Sequence, residues 1–332
     1  MNAYLPTDVG GVLLTVAAYA LVLIVGYVLT HVRSVGVARS ISWFMVVGSV
    51  GAMERVTISE PPGFRMLALI GMLLYTMKSV VSIEMSVAGN KRLRFWHWIG
   101  FAALWVGMRP GLFEKLPRPP RPRAVVYLKR GLLNLGVGLC FLLVARGFSV
   151  PANPRNVGPR LILGTLVLLP GLSLILHFGV FNLLVACWRA RGVECDSPFR
   201  APWRAKSLTE FWGKRWNLAF SEMTTLAVFR PLRGLWGNAP ALVAAFLFSG
   251  ILHELAISVP VRAGFGGPSL YFVLQGLGIL LERHWLLVAT VIPAAPLVSR
   301  LWTSCWIVIP LPILFHRPFL EGCIWPLVGI AP

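Results

Sequence analysis

An all-α, polytopic membrane fold is what this sequence predicts, and three observations carry that reading. Hydrophobic residues fill 57% of the 332 positions, and mean hydropathy is +0.74. Charged residues make up only 13%, about half of the roughly 25% usual in a soluble domain. Apolar stretches of crossing length, about 20 residues, recur from end to end without a long polar interval, so a single integral membrane domain over 1–332 is expected.

The stretches fall at 9–31, 41–58, 64–86, 125–147, 160–187, 238–260, 268–282 and 285–315. The first, from Val9, lacks a basic segment before it and reads as a transmembrane helix rather than a cleaved signal. The last is interrupted by Pro293, Pro296, Pro310 and Pro312 and has room for two helices. Eight to nine crossings result, around a central cavity. "FWHWIGFAALWVGM" at 95–108 is too short to cross and rich in tryptophan, which prefers the membrane interface. It reads as re-entrant or shallow.

Net charge is +19, which in a soluble protein suggests nucleic acid. Here the basic residues sit between apolar segments, where they set topology and meet anionic lipid headgroups. No RNA- or DNA-binding motif accompanies them, so no nucleic-acid partner is expected. Two connections, 89–130 and 188–233, hold ten and nine Lys and Arg, and the positive-inside tendency places both on the cytoplasmic side. The proline-rich "RPGLFEKLPRPPRPR" (109–123) reads as a stiff connector, or as a basic lip that gathers an anionic substrate. Five scattered cysteines, Cys140, Cys187, Cys195, Cys305 and Cys323, give no paired ligand spacing and read as small apolar side chains. No internal repeat, phosphate-binding glycine loop or serine elbow is present.

Two stretches carry candidate chemistry. In "FSGILHELAISVP" (248–260), His253 and Glu254 sit in hydrocarbon, where ionisable groups are costly and usually face a protein interior or a wet cavity. Adjacent helical positions diverge by about 100°, so one lines a cavity while the other pairs elsewhere. A neutral imidazole suits general-base work; the plainer reading is a packing histidine satisfied by a neighbouring carbonyl. "SLTEFWGKRWNLAFSEMTTLAVFRPL" (207–232) opens with Ser207 and Glu210 at capping-box spacing. Its rings and cations then alternate as on an interfacial helix, with Trp212, Trp216 and Phe220 on one side. A surface helix without chemistry has the same pattern.

Taken in order, "SLTEFWGKRWN" and, about thirty residues on, "FSGILHEL" resemble the membrane-bound O-acyltransferase superfamily, and within it the wax-synthase-like branch. "WVGMRP" (105–110) is similar to a Trp–Gly–Met motif of that branch. The resemblance covers 105–320 and says little of 1–104. It implies that His253 is the base for an acceptor hydroxyl and that Asn217 orients reactants or polarises the acyl carbonyl. It implies that Phe211, Trp212 and Trp216 shape the site beside acyl-CoA, and that Arg215 stands where a cation meets its phosphates. Glu254 and Gln275 are supporting candidates; Gln275 and Asn182 also read as helix-packing polar groups.

The reaction so implied is transfer of a fatty acyl group from acyl-CoA, a co-substrate reached from the cytoplasm, to a long-chain or otherwise lipophilic alcohol. It needs no metal and no other cofactor. Another acceptor (a sterol, glyceride, pigment or glycosylated natural product) is the alternative within the family. A proton-coupled transporter using His253 and Glu254 as a relay is the alternative outside it, though a relay needs further ionisable groups along its path.

Overall fold

The computed structural model describes residues 3–87, 89, 92–116, 119–148, 157–284 and 296–330. Among these residues all regular secondary structure is helical, without strands. Seven helices are long and apolar enough to cross a membrane. The chain forms two compact units: Met1–Ala3, Lys115–Phe199 and Leu320–Pro332 make one, and Tyr4–Glu114 with Arg200–Phe319 make the other.

The larger unit opens with α1 (Val9–Leu29), α2 (Val35–Val56) and α3 (Pro62–Val87), which pack on one another. Asp8 caps α1 by accepting from the Gly11 N–H at 2.6 Å, and Ser34 caps α2 through Val37. The second helix therefore starts six residues before the apolar run at 41. Arg39 enters it because Glu84 of α3 meets its guanidinium at 2.5 Å, a pairing across 45 positions that hydropathy cannot register. α4 (Phe95–Ala102) is eight residues long, too short to cross.

The same unit continues with α8 (Leu208–Glu210), α9 (Leu218–Thr224), α10 (Arg230–Trp236), α11 (Asn238–His253), α12 (Val259–Val261) and α13 (Gly267–His284), then α14 (Pro296–Val308), α15 (Leu311–Leu314) and α16 (Arg317–Phe319). α13 is not among the seven spans. It has eighteen residues, and its last turn carries Glu282, Arg283 and His284, which leaves fewer than the roughly 20 apolar positions a crossing needs. The expected last stretch lies partly outside the described residues, at 285–295, and the remainder breaks at Pro310 between α14 and α15.

In the smaller unit α5 (Ala124–Gly147) lies against α6 (Val157–Ser173), a wide π-helical turn at Leu174–Val180, and α7 (Phe181–Ala190). Small residues permit the approach: a Cβ on Gly138 would stand 2.9 Å from the Gly171 carbonyl. Arg189 closes this unit by donating to the carbonyls of Pro122 (2.8 Å) and Cys195 (2.6 Å). Burial pushes the Cys195 thiol up to about 12, so this cysteine stays a neutral packing group. Asn182 of α7 donates to the Phe178 carbonyl of the preceding π-helical turn at 2.7 Å.

Candidate active site

The stretch after Ser207 does not form one amphipathic helix. The Ser207 hydroxyl accepts from the Glu210 N–H at 3.0 Å, as the capping spacing predicts. Glu210 reaches back one residue further than a capping box requires, to the Lys206 N–H at 2.8 Å. A π-helical turn, Phe211–Arg215, follows. The helix then stops: Trp216 is extended, and Asn217 is left-handed at φ 42° and ψ 59°. Asn217 Oδ1 accepts from the Phe220 N–H at 3.3 Å and so caps α9. The break turns the motif back on itself, with the Phe211 ring stacked on Trp216 at 5.6 Å and the Ser221 hydroxyl donating to the Trp212 carbonyl at 2.6 Å. The periodicity that suggests a continuous surface helix misleads because asparagine tolerates the left-handed region.

Arg215 is absorbed by this turn. Its guanidinium pairs with Glu210 at 2.6 Å and also donates to the carbonyls of Arg200 (3.2 Å) and Ala201 (3.4 Å). Burial works against the Glu210 charge, yet the Lys206 amide and the Arg215 guanidinium hold its carboxyl below the usual range. The motif's cation thus braces the loop and is not in the cavity wall.

The loop encloses, with α9, α11 and α13, a cavity of about 270 Å³. Trp212, Trp216, Asn217 and His253 all line it; Phe211, Arg215, Glu254 and Gln275 do not. His253 is the last α-helical residue of α11, immediately before a π-helical turn at Glu254–Ser258, a distortion often found at functional sites. Its Nδ1 lies 2.7 Å from the Ser249 carbonyl. A carbonyl only accepts, so Nδ1 carries the proton and Nε2 keeps a lone pair. Among the described residues no group bonds Nε2. Phe272 and Phe220 hold the ring in place, with centroids at 4.2 and 5.4 Å.

Supporting polar groups fix the walls. Glu254 Oε1 accepts from the Gly266 and Ser269 N–H groups at 2.9 and 3.1 Å, which ties α11 to the start of α13 where orphan amides need partners. Gln275, fully buried, accepts from Trp212 Nε1 at 3.3 Å and donates to the Trp306 carbonyl at 3.1 Å. Gly250 lets α11 and α13 touch: a Cβ there would sit 2.6 Å from Ser269 Cα. Because that neighbour is backbone, Gly250→Ala is expected to force the helices apart at about 1–3 kcal/mol, read as a lowered thermal midpoint in detergent and a slower turnover.

"WVGMRP" lies behind the cavity rather than in it. The Lys78 ammonium, wholly buried, donates to the carbonyls of Phe101 (3.1 Å), Trp105 (2.7 Å) and Gly107 (2.5 Å). This grip sets Met108 into the apolar core beside Met223 and Leu252, and Arg109 pairs with Glu222 of α9 at 2.5 Å. Among the described residues no three His, Cys, Asp or Glu side chains gather as a metal set.

A model described as the membrane bound O-acyl transferase family matches residues 195–274, the segment that holds Asn217 and His253. This segment of the chain is thus similar to the membrane-bound O-acyltransferase family. Among its relatives, a probable long-chain-alcohol O-fatty-acyltransferase 6 of Arabidopsis thaliana is 29% identical over 217 residues, 60% of this chain and 61% of the relative. The long-chain-alcohol O-fatty-acyltransferase of Simmondsia chinensis is 34% identical over 103 residues, 27% of this chain and 28% of the relative. An acyl-CoA–sterol O-acyltransferase 1 of Arabidopsis thaliana is 37% identical over 70 residues, 19% and 20% of the two chains. The matches thus span at most about three fifths of these relatives' lengths. Ser249, Phe246 and Phe272 belong to the cavity too. Of these, the role of Ser249 was readable in the sequence, since position i−4 offers its carbonyl to the histidine.

Proposed function

We propose that this membrane protein transfers a fatty acyl group from acyl-CoA to the hydroxyl of a long-chain or otherwise lipophilic alcohol, releasing coenzyme A. The observation that carries the reading is His253: one nitrogen is committed to the Ser249 carbonyl, and the other is free in a largely apolar cavity that also holds Asn217. In the proposed step Nε2 takes the hydroxyl proton as the alcohol oxygen attacks the thioester carbon. The carbon–sulfur bond then breaks, and the imidazolium returns the proton to the departing thiolate. A thioester is already activated, so alignment, proton transfer and oxyanion stabilisation suffice. With Oδ1 used as a cap, the Asn217 amide retains its N–H₂ for the developing oxyanion. The apolar walls exclude the water that would hydrolyse the thioester. The basic connections are the side from which the CoA nucleotide enters.

Purified protein is expected to release thiol from palmitoyl-CoA only when an alcohol is supplied, with the ester detected by mass spectrometry. Dodecanol, hexadecanol and a sterol form the acceptor panel, the sterol included because one relative carries that name. Thiol release without an ester, or none with any acceptor, overturns the proposal.

A further inference from the structure

The cavity extends along α13 to a cation that neither motif contains. Phe272, Ile279 and Arg283 all line it. At 100° per residue they fall within about 40° of one another on the helix. Gly276 shares this stripe, its bare backbone lying against Phe246. The stripe begins at Phe272, whose ring meets His253, and ends eleven residues later at Arg283, about 16 Å along the axis at 1.5 Å per residue.

Arg283 is exposed; its charge favours the neighbouring Glu282 carboxylate, but among the described residues its guanidinium makes no close salt bridge. The hydrogen bonds of that carboxylate go elsewhere: Glu282 accepts from the Leu208 N–H (2.8 Å), the Thr209 N–H (3.4 Å) and Trp302 Nε1 (3.1 Å). Building on the acyl-transfer reading, we infer that Arg283 binds the diphosphate of the CoA nucleotide and lays the pantetheine arm along α13, with the thioester at His253. The lengths agree. About thirteen bonds join the thioester sulfur to the first phosphorus, and at roughly 3.5 Å per three bonds they reach about 15 Å when extended. A planar guanidinium meets phosphate oxygens in pairs. Arg215, the cation in the motif, is occupied by Glu210 and two carbonyls; Arg283 is not. A basic residue in a last helical turn also complements the helix dipole, a role that is indifferent to the donor's phosphates.

The test compares palmitoyl-CoA with S-palmitoyl-pantetheine, which has the same thioester and arm but no phosphate, in wild type, Arg283→Ala, Arg283→Lys and Lys214→Ala. Arg283→Ala is expected to raise KM for palmitoyl-CoA about tenfold, as loss of a charged hydrogen bond does, with kcat nearly held. The KM for the pantetheine thioester rises far less, so the preference for the CoA donor shrinks by a similar factor. Lysine restores part of it, and Lys214→Ala, a cation outside the cavity wall, behaves as wild type. Coenzyme A binding by calorimetry gives a second readout and weakens about tenfold in Arg283→Ala. Equal KM changes with both donors, or unchanged CoA binding, would overturn the inference. Wild type that binds CoA through Arg283 but turns over neither donor overturns acyl transfer alone and leaves the anion site standing.

Discussion

His253→Gln is expected to lower kcat for acyl transfer by about 10²–10⁴-fold, the usual contribution of a positioned proton acceptor, with KM for acyl-CoA little changed. Glutamine is the sharper substitution because it roughly keeps the volume between Phe220 and Phe272, and its amide N–H can still donate to the Ser249 carbonyl. Only the basic lone pair is lost. Alanine removes activity too, but opens a gap beside two rings, and such voids add a stability cost of their own. Kinetics and the thermal midpoint together separate the roles. A base predicts a fallen kcat with an unmoved midpoint, whereas a packing histidine predicts the reverse.

The second large effect belongs to Asn217. Asn217→Ala would confound three losses: the α9 cap, about 1 kcal/mol, the left-handed backbone, about 1–2 kcal/mol for an ordinary residue, and the free amide. Asn217→Asp separates them. Aspartate caps as well, tolerates the same backbone, and lacks only the N–H₂ donor while adding a charge unfavourable to an oxyanion. It is expected to lower kcat by about 10²–10³-fold with near-native stability. A wild-type rate in this variant would reduce Asn217 to a helix cap.

The membrane-crossing helices were legible because bilayer thickness demands a length that any apolar run reveals. His253 was legible for a related reason, since an ionisable group in hydrocarbon calls for an explanation. What escaped the sequence depends on partners chosen in three dimensions. The early start of α2 rests on Glu84, far along the chain. The engagement of Arg215 depends on a π-helical turn that brings Glu210 five residues away into contact. The break at Asn217 competes with a strong aromatic periodicity, and a single residue's backbone preference decides it. Arg283 joins the cavity because α13 lies against α11 through Gly250, and neither motif points to that pairing.

The central claim is that donor and acceptor meet at His253 Nε2. A structure determined experimentally with dodecanol and a non-cleavable ketone analogue of palmitoyl-CoA, in which a methylene separates the sulfur from the carbonyl, tests it most directly. The expected result places the alcohol oxygen about 2.6–3.2 Å from Nε2, with the analogue's carbonyl oxygen beside the Asn217 amide. Electron density for both molecules elsewhere, with lipid or packed side chains against Nε2, contradicts it.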